Sequence, residues 1–253
     1  MRFEIQRADF WKRISAFLFD IILLGIVIVG AAAALSAILG YDKHMAVVEQ
    51  VENEYIEKYG INTEITDEEK AKLSEEELAV YDEYNAARES DERLIIGYNI
   101  LLRLMFTILS VSVLIGHVIM EFIVPIFFKN GQTLGKKAFG LAVMHTNGVR
   151  LRGQAHFVRT IIGKCLIETL VPVYFVLMIL FGSLGFVGIV ALVLLLGLQI
   201  FVLASTKTRS AIHDLISDTV VVDMASQMIF ENADELIAYK TKIHEEMVNQ
   251  KEY

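Results

Sequence analysis

The chain has little cysteine, proline or charge for its 253 residues. Its one cysteine, Cys165, excludes an internal disulfide and a metal cluster held by cysteines. Only 21% of the residues are charged, whereas 55% are hydrophobic, and the mean hydropathy is +0.50. This composition is too apolar for an ordinary soluble domain, so it predicts a polytopic membrane protein.

Acidic residues are missing from the segment 129–164 and are crowded between residues 42 and 92 instead. The formal net charge of -8 therefore hides an uneven distribution. The positive-inside rule places the basic segment in the cytoplasm, where anionic lipid is its expected partner and nucleic acid is not. Its basic residues are Lys129, Lys136, Lys137, Arg150, Arg152, Arg159 and Lys164.

The first membrane span is predicted within residues 1–40, after a basic cytoplasmic N-terminus that includes Arg13. From Ile14 to Leu39 the residues are apolar or small, apart from two serines and Asp20. At ~1.5 Å per residue this helix is long enough to cross a hydrocarbon core of roughly 30 Å. A secretory signal peptide is the alternative, but its apolar region is shorter and rarely contains an acidic residue.

Asp20 is the polar exception in this span. A charged carboxylate at the centre of a membrane helix costs about 2.5 to 3.5 kcal/mol, so Asp20 should face other helices. There it pairs with a base, binds a cation, holds a proton, or forms a buried hydrogen bond that locks two helices together. The sequence leaves these alternatives open.

Residues 41–93 form an acidic segment with strong helical signals. Capping boxes are predicted at Thr66 to Glu69 and at Ser74 to Glu77. We expect an extracytoplasmic helical hairpin between the first two spans. The sequence leaves three roles open for this hairpin: a solvated spacer, a docking surface for an envelope protein, or an acidic funnel that concentrates cations.

The second span, within residues 94–128, carries polar residues along one helical face. His117 and Glu121 are neighbours on this face, and the predicted topology places them in the cytoplasmic half of the membrane, the same half as Asp20. Such a cluster suits cation and proton exchange, because acid and imidazole trade a proton for a metal ion. An interhelical hydrogen-bond network that moves no ion is the alternative. The face comprises Arg103, Thr107, Ser110, His117 and Glu121.

The segment 129–165 is predicted to hold a β-hairpin and an interfacial helix. The Asn147-Gly148 pair lies between two β-like runs, which is typical of a two-residue hairpin turn. Beyond it, apolar residues at helical spacing predict a helix on anionic lipid, with Arg159 and Lys164 on its basic side. A phosphate loop at Gly131 to Lys136 is rejected because the glycine spacing is too short.

Spans three and four are predicted within residues 166–205, and Glu168 lies inside the bilayer if the third span begins earlier. Residues 206–253 then contain a helical turn at His213-Asp214, a β run that could pair with the hairpin, and an amphipathic helix. The expected fold is an all-α membrane protein. It comprises a four-span helical bundle, the helical hairpin insertion, a small cytoplasmic β-hairpin and the amphipathic C-terminal helix.

Three pieces of the chain resemble the bacterial RDD family, which is named after an arginine and two aspartates. They are Arg13 with Asp20 in the first span, the motif from Gly131 to Val143 in the basic segment, and the run from Ile212 to Val222. The resemblance covers nearly all of the chain except the acidic segment and the tail. It implies that Arg13, Asp20 and Asp214 are the family's named residues.

The resemblance also implies a role related to transport, because family members are reported to exchange Na+ or other monovalent cations for protons. Two features depart from the family pattern. Ser217-Asp218 stands where the family often has a small residue and glycine, and the acidic hairpin is longer than the usual first loop.

The leading prediction is a monovalent cation/proton exchanger of the bacterial cytoplasmic membrane, with both termini in the cytoplasm. Four spans are few for a transporter, so a homo-oligomer is expected. The alternative is a membrane adaptor that binds an envelope partner through the acidic hairpin or the tail. No arrangement of nucleophile, metal or cofactor is recognisable, so neither an enzyme nor a cofactor is predicted. The candidate residues are Asp20, His117 and Glu121 for cation and proton binding, Arg13, Asp214 and His213 for the family motif and gating, and Glu168, Arg103 and Lys136 as accessory groups.

Overall fold

The computed structural model describes residues 5–62, 73–128, 130–206 and 210–251. Within them, α1, α4, α6 and α7, defined below, are long and apolar enough to cross a membrane. The predicted helical fold with four spans and a small antiparallel sheet is confirmed. In chain order the elements are α1 (Phe10–Leu39), α2 (Tyr41–Tyr59), α3 (Glu75–Ser90), α4 (Glu92–Phe127), α5 (Leu134–Ala138), β1 (Leu141–His145), α6 (Gly153–Leu180), α7 (Gly185–Ser205), α8 (Ile212–Ile216), β2 (Thr219–Asp223) and α9 (Ala233–Lys251).

The chain divides into two compact units, of which one is Gly30–Ser112. In this unit Ser74 caps α3: its hydroxyl accepts from the N–H of Glu77 at 3.3 Å, and the Glu77 carboxylate accepts from the N–H of Ser74 at 2.8 Å. This capping box was predicted from the sequence, whereas the one at Thr66 to Glu69 lies outside the described residues. The reciprocal bonds satisfy two N–H groups at the helix start, which is why α3 begins there.

Helices α2 and α3 are joined by polar contacts within the same unit. Glu52 of α2 accepts from Nε of Arg88 at 2.5 Å and from the hydroxyl of Tyr98 at 2.5 Å. An apolar cluster that includes Val48 and Leu94 is buried beside these contacts. The described residues of the acidic segment are thus mostly helical, and they share an apolar core with α4.

The other unit, Met1–Val29 with Val113–Tyr253, contains the sheet. Strand β1 pairs antiparallel with β2, with Val143 opposite Val221. The sequence predicted that the 219–222 run would pair here, but it also predicted a second arm after Asn147-Gly148. That arm lies at the other edge of β1, where it pairs through an isolated bridge between Met144 and Arg150, and its Val149 forms a second bridge with Phe230. The side chains of the arm, Arg150 and Arg152, pair instead with Glu231.

Two spans contain π-helical segments, Val118–Ile123 in α4 and Val158–Leu170 in α6. The stretch predicted to form an interfacial helix is the first part of α6, which runs without a break from Gly153 to Leu180. Its basic side does not face lipid headgroups, since Arg159 is 2% exposed. A π-helix has i to i+5 hydrogen bonds and often marks a functional site.

Candidate functional site

A cavity of about 430 Å³ lies among α1, α4, α5, α6, α7, α8 and the sheet. It brings together on one surface side chains that are spread over 212 positions of the sequence, from Phe10 to Val221. Of the predicted site residues, Arg103 alone is not among those that line it, and Arg103 is exposed on α4 in the unit Gly30–Ser112. The predicted residues that line it are Arg13, Asp20, His117, Glu121, Lys136, Glu168, His213 and Asp214.

Asp20 is bound by the motif that resembles a phosphate loop. Thr133, the residue before α5, donates its hydroxyl to Oδ2 of Asp20. The backbone N–H of Gly135 donates to Oδ1 at 2.7 Å, and Nζ of Lys136 lies 3.7 Å from Oδ2. The motif is therefore an anion-binding turn whose anion is the chain's own carboxylate. These contacts compensate a charge that would be costly inside a membrane.

The approach of α5 to α1 requires glycine at position 135. A Cβ added to Gly135 would overlap the carbonyl oxygen of Ala16 and would lie 2.8 Å from the carboxyl carbon of Asp20. Unbonded atoms do not approach so closely, so any side chain would push α5 away from Asp20. The second glycine of the Gly131 to Lys136 motif is thus explained by packing against α1.

Glu121 pairs with Lys164 across the two π-helical segments. The Lys164 ammonium donates to Oε2 of Glu121, whose side chain is 7% exposed. The hydroxyl of Thr160 donates to the backbone carbonyl of Glu121 at 3.1 Å and ties the same two segments together. A buried carboxylate inside a membrane span needs this compensation.

Asp214 of α8 forms its ion pair with Arg159. Both Nε and Nη2 of Arg159 donate to Oδ1 of Asp214, at 3.0 and 2.7 Å, and both side chains are almost fully buried. Burial would raise the pKa of Asp214, but the Arg159 guanidinium outweighs it and holds that pKa well below its usual range. The sequence suggested Arg13 as a partner of Asp214, with a pairing of Arg13 with Asp20 as the alternative. Arg13 lines the same cavity, and its charge also lowers the pKa of Asp214.

His213 connects Asp214 to Glu168. Its Nδ1 lies 2.7 Å from Oε2 of Glu168, and its backbone N–H donates to Oε1 at 2.9 Å. A carboxylate only accepts, so Nδ1 carries a hydrogen, while Nε2 lies 3.5 Å from Oδ1 of Asp214. Burial is the largest influence on this ring and lowers the pKa of His213. The imidazole thus lies between two carboxylates with one nitrogen directed at each.

His117 presents a nitrogen that can take up a proton. Its Nδ1 lies 2.9 Å from the carbonyl oxygen of Val113, so Nδ1 carries the hydrogen and Nε2 is the basic atom. Nε2 lies 3.3 Å from the hydroxyl of Thr169, which also lines the cavity. The pair predicted from the sequence, His117 and Glu121, therefore shares one cavity, although Glu121 lies in a π-helical turn.

Lys136 is a base in the cavity that releases its proton more easily than an ordinary lysine does. It is 8% exposed, and burial, reinforced by the positive charge of Lys164, lowers the pKa of Lys136 to about 8. A lysine of this kind loses its proton readily near neutral pH. When it does so, the carboxylate of Asp20 loses its ionic partner.

Sequence reasoning identified Glu168 on α6 but missed three other residues of this helix that line the cavity. Arg159, Lys164 and Thr169 recur every five residues and all line the cavity. Five residues of α-helix rotate a side chain by about 140°, which scatters such a set around the helix. A π-helix places them on one face because its turns follow i to i+5 hydrogen bonds. The five-residue period was therefore the available signal.

The cavity holds carboxylates, bases and imidazoles in contact, so protons can move between neighbouring groups. Within the described ranges, no group of three or more His, Cys, Asp or Glu side chains is placed to hold a metal ion among themselves. Apolar helices of membrane-spanning length around a buried ionic cavity define a polytopic membrane protein. More narrowly, the chain belongs to the RDD family, whose model matches residues 7–218. No curated protein and no solved structure matches the chain.

Proposed function

We propose that this RDD-family protein exchanges a monovalent cation for protons across the bacterial cytoplasmic membrane. The observation that carries the proposal is the pair of Asp20 and Lys136 in the cavity: a carboxylate and a lysine with a pKa of about 8, 3.7 Å apart. Intramembrane ionisable groups of this kind mark ion and proton pathways. The basic segment 129–164 favours a cytoplasmic location for this side of the protein, beside anionic lipid.

The exchange follows from competition for one carboxylate. While Lys136 is protonated, its ammonium neutralises Asp20 and no cation is needed. When Lys136 releases its proton, Na+ or K+ takes its place, with Asp20 and the hydroxyl of Thr133 as oxygen ligands. Hard cations prefer such ligands. One proton leaves for each cation bound, and His117 and Glu121 supply further proton-binding groups on the same cavity.

Proton flux in proteoliposomes tests this proposal, with Na+, K+ and Li+ gradients applied in turn to the purified protein. We expect flux for at least one ion, its loss in Asp20→Asn, and its loss in Lys136→Met. Lys137→Met is the matched control because Lys137 stacks over Phe128, 3.8 Å from the ring centroid, and should keep the flux. Absence of flux for all three ions in the wild type contradicts the exchanger. Each variant is compared only if it elutes as a single folded species on size-exclusion chromatography.

A membrane adaptor is the second candidate, and one observation favours it. Each of the cavity carboxylates already has a partner within the described chain: Thr133 and Gly135 at Asp20, Lys164 at Glu121, His213 at Glu168 and Arg159 at Asp214. Such a network is also what a purely structural core requires. The adaptor predicts that a photo-crosslinker at Glu76 on the exposed surface of α3 captures one envelope protein. It further predicts that Asp20→Asn affects stability alone.

A further inference from the structure

A second cavity, of about 270 Å³, lies where α4 ends and α6 begins. Its lining includes Pro125 from α4, Gly153 and His156 from the start of α6, and Arg150 and Arg152 from the chain before α6. Both helices are candidate membrane spans. A cavity at the ends of two spans lies at the boundary between hydrocarbon and water, where lipid headgroups are found.

His156 leaves one buried nitrogen without a partner. The residue is 7% exposed, and its Nδ1 has no hydrogen-bond partner in the part of the chain that the structure describes. The ring stacks on Phe122 with centroids 5.1 Å apart, and Nε2 lies 3.2 Å from the carbonyl oxygen of Phe122. A carbonyl only accepts, so Nε2 carries the hydrogen of the neutral ring and Nδ1 is an acceptor. A buried acceptor of this kind needs a ligand that brings a hydrogen-bond donor.

The other polar groups at this cavity suit an anion. Nη1 of Arg150 lies 3.0 and 2.8 Å from the two carboxylate oxygens of Glu231, and Nη2 of Arg152 lies 2.9 Å from one of them. Each of the two guanidinium groups uses only one of its nitrogens in these contacts. Arg150, Arg152 and Glu231 together carry a net positive charge. In the described residues no side chain caps the N–H groups at the start of α6. Guanidinium and uncapped backbone N–H groups are the donors that bind phosphate.

Exposed apolar side chains lie next to the cavity. Ile126 and Phe127 at the end of α4 are 59% and 78% exposed, and Phe157 of α6 is 48% exposed. Large apolar residues at the end of a span contact lipid acyl chains. The cavity therefore has polar donors inside it and lipid-facing groups at its edge.

We propose that this cavity binds a phosphate monoanion with a neighbouring hydroxyl group, which is the chemistry of the phosphatidylglycerol headgroup. The phosphate oxygens accept from Arg150, Arg152 and the start of α6, and the hydroxyl donates to Nδ1 of His156. Soluble glycerophosphoglycerol, a phosphodiester with the same single charge and hydroxyl groups, has the same chemistry, and the adjoining apolar surface favours the lipid. The site is separate from the ion-paired cavity and does not depend on ion exchange.

Native mass spectrometry of the full chain in detergent, with lipids titrated in, tests this site. We expect the wild type to bind phosphatidylglycerol about tenfold more tightly than phosphatidylcholine, and the double variant Arg150→Gln, Arg152→Gln to lose that preference. The double variant Lys240→Gln, Lys242→Gln removes the same charge from exposed positions of α9 and should keep it. The proposed site is overturned if the preference for phosphatidylglycerol survives the arginine substitutions, or if the wild type does not show that preference.

The role of His156 has its own test. Phosphatidylmethanol carries the same phosphate charge without a hydroxyl, and His156→Phe keeps a ring to stack on Phe122 while removing Nδ1. We expect this variant to bind phosphatidylglycerol about fivefold more weakly and phosphatidylmethanol as before. Equal weakening for both lipids overturns the contact between the hydroxyl and Nδ1. If millimolar glycerophosphoglycerol displaces phosphatidylglycerol from the wild type, the ligand is the soluble diester and the lipid assignment is overturned.

Discussion

The backbone N–H of Gly135 donates to Oδ1 of Asp20 at 2.7 Å, which joins α5 to α1 across 115 residues of sequence. Asp20 belongs to the first span and Gly135 to a motif that resembles a phosphate loop. This bond accounts for the residue types at both positions. A carboxylate inside a membrane needs hydrogen-bond donors, which explains how Asp20 is tolerated. The close approach of the two backbones needs a residue without a side chain, which explains the glycine at position 135.

Gly135→Ala should destabilise the protein by about 2 to 4 kcal/mol, since the added methyl group displaces α5 and leaves Asp20 without its donors. Gly197→Ala in α7 is the matched control, because a Cβ there would meet nothing within 4 Å. The measurement is the fraction of folded protein on size-exclusion chromatography after heating. Equal melting temperatures for the two variants would contradict the packing account.

Arg159→Met should destabilise the protein by about 3 to 5 kcal/mol, because it leaves Asp214 buried without a counter-charge. Adding Asp214→Asn to that variant should recover part of the loss, so the two substitutions are not additive. Arg103→Met, at an exposed arginine, is expected to change stability by no more than about 0.5 kcal/mol. Additive losses for Arg159 and Asp214 would show that the pair is not coupled.

The stability of the protein should rise with pH in alkaline solution because of Lys136. Its pKa is about 8 in the folded protein against an ordinary value of 10.5, so between these two values the unfolded chain binds more protons than the folded one. The free energy of unfolding then increases with pH over that window. Melting temperatures of the wild type and Lys136→Met, measured from pH 8 to 10.5, check this. The rise should vanish in Lys136→Met and persist in Lys137→Met.

Asp218 has a left-handed backbone conformation with φ of 51°, which glycine adopts at the least cost. Its carboxylate also accepts from the hydroxyl of Thr146 at 2.6 Å. Both Asp218→Ala and Asp218→Gly lose this hydrogen bond. The difference in stability between the two variants therefore measures the free-energy cost of the left-handed backbone conformation for a residue with a Cβ. We expect the alanine variant to be less stable than the glycine variant by about 1 kcal/mol in thermal denaturation. The reverse order would mean that the left-handed conformation is not kept in the variants.

The sequence by itself determined the membrane class, the four spans, the helical acidic segment and the family. These properties depend on each residue's own transfer free energy or on neighbours within a turn or two, so hydropathy, charge and capping patterns report them directly. The burial of Asp20 and its need for a partner were predictable for the same reason. The five-residue period in α6 was present in the sequence but was interpreted with an α-helical repeat.

Only the tertiary structure decided which residues satisfy the buried charges. Arg159 forms a buried ion pair with Asp214, and Thr133 and Gly135 bind Asp20 from a distant segment. In the same way β1 pairs over its whole length with β2, whereas the arm that follows Asn147-Gly148 meets β1 at one isolated bridge, between Met144 and Arg150. The need for a counter-charge is a property of the buried residue alone. The choice of its partner depends on which distant segments close packing brings together. Local sequence patterns do not encode that choice.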